Sequence, residues 1–218
     1  MKRACWAALL GLPLLAQAAE IPLYPTGPSE DAAFLRFFNA GEQPLALSAA
    51  NGASLTLDAQ QRASDFLTVP AGKPIQGTLK QGEQSAELDV SVEPGEFATV
   101  IGLPSAAGLS LHTLREQPDD FNALKASLAF YNADASCADA SLQVAGRAVD
   151  IFKAVAHGDV QRRFINPLKL SVQLQCAGTA AGAPLELGQL EAGQRYSVLL
   201  VPSAQGPRLF QAVDNLAN

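Results

Sequence analysis

The chain has 218 residues, of which 48% are hydrophobic and 17% charged, with 15 basic residues against 21 acidic ones and only two histidines. That balance argues against nucleic acid and anionic membrane surfaces as partners, because nothing beyond the Arg162-Arg163 pair would neutralise their phosphates. The length suits one large or two small domains.

In chain order, residues 1–18 read as a secretory signal peptide. Lys2 and Arg3 precede an apolar stretch from Ala4 to Ala16 and an Ala-Gln-Ala site, which places the cut near Ala18 and the product in the bacterial periplasm. The apolar stretch is short for a membrane span, and no transmembrane segment is expected after cleavage. Losing Lys2 and Arg3 leaves 13 basic residues (15 − 2) against 21 acidic, a net charge near −8. Cys5 leaves with the signal. Cys137 and Cys176 remain, and in an oxidising compartment they are expected to pair. The ring so closed spans 40 residues (176 − 137 + 1), worth about 4 kcal/mol by the chain-entropy argument.

Residues 19–32 form an extended, proline-fixed arm with Leu23, Tyr24, Pro25, Thr26 and Pro28. The arm, together with Arg36 just beyond it, is the candidate partner-binding element. Strands are expected near 34–39, 45–48, 54–58, 66–69, 75–79, 86–92, 97–102 and 109–114. Asn51-Gly52, Ala71-Gly72, Gln81-Gly82 and Pro94-Gly95 mark turns between them. Many short strands at this spacing predict an all-β chain of antiparallel sandwiches, immunoglobulin-like or like carbohydrate-binding modules.

The chain then repeats itself. FLRFFNAGEQPLAL (34–47) returns as SLAFYNADASCADASL from Ser127, an offset of 93, and EPGEFATVIGLPSAAGLSLH (93–112) returns at 191–210, an offset of 98. The repeat predicts two tandem sandwiches from an internal duplication, at 33–114 and 127–218, joined by a polar linker at 115–126. Leu35 and Phe37 align with Leu128 and Phe130 as the core-facing set, and Arg36 aligns with Ala129 on the other face, which is expected to be surface.

No catalytic, cofactor or metal site is expected. There is no G-x-S-x-G, no Gly-Asp-Ser, no Asp-x-x-His and no metal-ligand spacing. His112 reads as a packed strand end because its sister position is Phe210, and His157 as a solvated turn beside Asp159. Asp119 and Asp120 point apart on an extended chain. An acyltransferase would need Ser105 or Ser203, both in the repeated P-S-A-x-G turn, within reach of a histidine.

The exported signal, the L-Y-P-T-x-P arm leading into F-L-R-F-F-N-A, the length and the Y-S-V-L-L-V-P run (196–202) together resemble the alginate O-acetylation family AlgF. The resemblance implies a non-catalytic periplasmic accessory of alginate biosynthesis. It would act with inner-membrane and periplasmic acetyltransferase proteins that modify mannuronate residues, and would touch polysaccharide weakly at most. Two other readings stay open. One is a pair of carbohydrate-binding modules, with a groove lined by Tyr24, Tyr131 or Tyr196. The other is a two-domain periplasmic chaperone, which needs a basic cleft and an apolar edge strand.

Overall fold

The computed structural model describes residues 32–117 and 122–217. The expected signal peptide, the arm residues Leu23 to Pro28, and Asp119 and Asp120 lie outside the described residues. The first half contains β1 (Ala32–Asn39), β2 (Leu45–Ala49), β3 (Ser54–Leu57), β4 (Leu67–Pro70), β5 (Ile75–Gln81), β6 (Gln84–Val90), β7 (Phe97–Ser105) and β8 (Gly108–Glu116). The second contains β9 (Ala126–Asn132), a 3-10 turn (Ala135–Cys137), β10 (Asp139–Val144), β11 (Asp150–Ala156), β12 (Val160–Ile165), β13 (Leu168–Cys176), β14 (Thr179–Leu190), β15 (Arg195–Val201) and β16 (Arg208–Val213).

Each half folds into two four-stranded sheets. Their orders are β3-β2-β5-β6 and β4-β1-β7-β8 in the first half, and β12-β9-β15-β16 and β11-β10-β13-β14 in the second. Strand alternation sends Leu35, Phe37, Ala98 and Val100 into the first core, with Leu47, Leu79 and Leu88 closing it from the other sheet. The second core repeats this with Leu128, Phe130, Val198 and Leu200 against Leu142, Val172 and Leu174. The turn glycines take the left-handed backbone that their positions demand, as at Gly52 (φ 89°) and Gly95 (φ 72°).

Three expectations are corrected. The sandwiches are not wholly antiparallel, since β1 pairs with β7, and β9 with β15, in parallel. The linker expected at 115–126 is shorter, because Arg115 and Glu116 complete β8 and Ala126 opens β9.

The largest correction concerns the face assigned to solvent. Phe38, Ile101, Leu103 and Leu114 of the first half pack against Ala129, Tyr131, Leu199, Val201 and Ala212 of the second, forming a third core between the halves. β1, β7, β9 and β15 are therefore buried on both faces, and the molecule is a stack of four sheets with the seam at its middle. The chain end crosses this seam as well. Asn215 O accepts from Phe66 N at 2.8 Å and Ala217 N donates to Phe66 O at 2.9 Å, so the last described residues pair with the first half.

Candidate functional site

The seam holds the polar side chains that the apolar strands would otherwise exclude. Arg36, on β1, is fully buried. Its Nε donates to Thr99 Oγ1 (2.9 Å), one terminal nitrogen to Ser197 Oγ (2.9 Å) and the other to Asp214 Oδ1 (2.6 Å). Its flat guanidinium lies 4.5 Å from the centre of the Phe66 ring and 5.2 Å from that of Tyr131. Arg36 was expected on the surface and counted with the arm as a partner-binding residue. Instead it is spent inside the protein.

Arg162 completes the network from β12. It binds Glu116 in a fork, at 3.0 and 2.8 Å, and reaches Asp214 Oδ2 at 2.8 Å. Tyr131 donates its hydroxyl to Glu116 at 3.0 Å, and Ser197 Oγ donates to Asp214 at 2.6 Å. The first half thus supplies Arg36 and Glu116 and the second Arg162 and Asp214, with Arg195 of the second half 3.6 Å from Glu116, and Arg36 and Arg162 each bond the acid of the opposite half. A guanidinium buried alone would be prohibitively costly, whereas a fully hydrogen-bonded network is tolerated.

Electrostatics follow from the burial. Burial by itself would push the Asp214 carboxyl up, but Arg36 and then Arg162 overcome it and hold the group below the usual carboxylate range. Burial likewise works against the charge on Arg36, and Asp214, together with Tyr131 and Glu116, more than offsets it. The Tyr131 phenol is pushed up to about 12, chiefly by burial, with Arg36 opposing.

The repeat carries this arrangement. Thr99 and Ser197 are sister positions at the offset of 98, and so are Glu116 and Asp214 (214 − 116). The register agrees, since Phe97 pairs with Glu116 on β8 and the Asp214 N–H bonds the Arg195 carbonyl next to β16. Continuing the repeat four residues past His112 would have exposed the matched carboxylates.

At the other end of the seam, His112 on β8 and His157 in the β11–β12 turn place their ring centres 5.9 Å apart, edge to face. Both line an open cleft of about 460 Å³ with Ser105, Ser110, Asp134, Ser136 and Ser203. His157 is exposed in its turn, as expected, while His112 sits half-buried in mid-strand. Ser105 and Ser203 occupy identical turns. Each hydroxyl accepts from the amide two residues on (3.2 Å in both) and donates to a glycine carbonyl, Gly108 (3.0 Å) or Gly206 (2.7 Å). The repeated P-S-A-x-G is thus a turn motif in both copies. Tyr131 and Tyr196 are buried, at 1% and 6% exposure, so neither lines a sugar-stacking groove. Cys137 and Cys176 form the expected disulfide, with Cα atoms 5.2 Å apart.

The chain is similar to proteins of known sequence and structure. A solved C-terminal domain of AlgF from Pseudomonas aeruginosa covers 41% of this chain and 98% of its own, at 21% identity and a TM-score of 0.35. The Alginate biosynthesis protein AlgF of Pseudomonas aeruginosa is 32% identical over 174 residues, which is 78% of this chain and 74% of that protein. The family described as Alginate O-acetyl transferase AlgF matches residues 7–197, ending within β15. The chain belongs to the AlgF family.

Proposed function

We propose that this chain is a periplasmic, non-catalytic adaptor in alginate O-acetylation, acting by binding the proteins that transfer acetyl groups to mannuronate residues. The observation that carries the reading is the buried ionic seam. It uses the arginines and acids of both halves to fix two sandwiches in one orientation, which leaves the outward faces of β3-β2-β5-β6 and β11-β10-β13-β14 as rigid presenting surfaces. Family membership supports the pathway, and the disulfide supports an oxidising compartment. The serines beside the histidine pair have their hydroxyls committed to their own turns, which favours an adaptor over a transferase although the family is described as a transferase.

The test is co-purification from periplasm with the full chain and with a chain lacking residues 19–30, alongside an acetyl-transfer assay on the purified chain. Recovery of acetyl-transfer proteins by the full chain is the expected result; weaker recovery after the deletion would add the arm to the docking surface, and unchanged recovery would leave docking to the outward sheet faces. Acetyl transfer by the chain alone would overturn the adaptor reading, and recovery of fimbrial subunits would favour a chaperone.

A further inference from the structure

The chain has two histidines. They lie 45 residues apart (157 − 112), one in each sandwich, and the seam brings their rings together. Neither takes part in the ionic network. The same cleft is lined by Asp134, which is 1% exposed. Its Oδ1 accepts from the Ser136 amide (2.9 Å) and hydroxyl (2.6 Å), but its Oδ2 is buried and has no hydrogen-bond partner among the described residues. A buried carboxylate oxygen left without a donor or a cation is costly, and it marks a place where positive charge would be favourable.

We propose that His112 and His157 form a divalent transition-metal site, for Zn²⁺ or Cu²⁺, that bridges the two sandwiches, with the Asp134 carboxylate supplying negative charge from the cleft wall. Imidazole nitrogen suits these ions, whereas Mg²⁺ and Ca²⁺ prefer oxygen ligands. With metal–nitrogen bonds of about 2.0–2.1 Å, two imidazoles on one ion stand about 5–6 Å apart centre to centre, close to the spacing already present here. Among the described residues, no three His, Cys, Asp or Glu side chains are grouped so as to hold an ion jointly. The ion therefore takes two protein nitrogens, and solvent fills its remaining positions in the open cleft. Glu116 lies four residues from His112 on the same strand face, so the site would tie the seam about 13 Å from its ionic end.

The experiment uses the untagged, oxidised mature chain, stripped with chelator and titrated calorimetrically with Zn²⁺, Cu²⁺ and Mg²⁺. The expected result is one equivalent of Zn²⁺ or of Cu²⁺, with Cu²⁺ tighter, no heat with Mg²⁺, and a thermal midpoint raised by the bound ion. His112→Phe, which installs the residue found at sister position 210, and His157→Ala should each remove the saturable step while circular dichroism stays unchanged. Asp134→Asn should weaken binding roughly tenfold. The proposal is overturned by a chain that shows no saturable heat with either ion at any excess, or by one-equivalent binding that persists in the double histidine variant.

Discussion

The two sandwiches were built on one plan, and what they kept can be set against what they changed. Asn39 and Asn132, sister residues at the offset of 93, do the same work. Each donates twice from its side-chain nitrogen, to Gln43 and Leu57 carbonyls in one copy and to Cys137 and Val155 carbonyls in the other. Each also accepts from the amide two residues on, Gly41 or Asp134. The serine turns are kept as well. The halves part company at the seam, where Arg36 faces no sister arginine because its counterpart is Ala129, and the second guanidinium comes from the neighbouring strand as Arg162. Equivalent positions of duplicated sheets meet across such a seam, so a repeated acid such as Glu116 and Asp214 concentrates like charge. Two arginines from non-equivalent strands neutralise it without colliding. Copying preserves cores and turns, whereas joining the copies requires asymmetry.

The sharpest way to break this comparison is to remove one of the repeated acids. Asp214→Asn keeps the shape but leaves Arg36 without its carboxylate, and should destabilise the folded chain by about 3–5 kcal/mol. Denaturant unfolding would measure it, and a change below about 1 kcal/mol would show that the seam does not depend on charge pairing. Next comes the disulfide, which only the second copy has. Replacing Cys137 and Cys176 by Ser should cost about 2–4 kcal/mol. Hydrogen exchange should report that loss in β10 and β13 while the first sandwich keeps its protection. Smaller again are the sister asparagines. Asn39→Ala and Asn132→Ala each leave buried carbonyls unsatisfied and should cost about 1–3 kcal/mol apiece. Similar values in the two copies would sharpen the claim of common chemistry, and a large disparity would break it.

Much of this plan was legible in advance. All eight strands of the first half, the turn glycines, the repeat and the disulfide could be read because they rest on local alternation and turn chemistry. The buried seam was missed, although its signal was present. FATVIGL (97–103) and YSVLLV (196–201) are nearly continuous apolar runs, as expected of strands covered on both faces rather than one. Arg36 misled because a lone arginine in a strand normally marks the wet face. Its partner Asp214 is 178 residues away, a distance over which periodicity carries no information.

The gentlest probe of the seam is Tyr131, whose sister position is Phe38 and which is therefore the point where the second copy carries a hydroxyl that the first lacks. Tyr131→Phe removes one hydrogen bond to Glu116 and should cost about 1–2 kcal/mol near neutral pH. An unfolded phenol titrates near 10, and the folded one is raised to about 12, chiefly by burial. The fold thus holds this proton more tightly than the unfolded chain does. Its contribution is complete below about pH 10 and is lost as the pH rises from about 10 through about 12. Asp214 behaves in the opposite sense. Its lowered value contributes above about pH 3.9 and is lost as acid protonates it. Unfolding midpoints taken at neutral pH and at pH about 11 should therefore converge for wild type and Tyr131→Phe at the alkaline end. If the variant instead loses as much stability as wild type over that interval, the alkaline sensitivity belongs to other groups, and the Tyr131 hydroxyl only fills space in the seam.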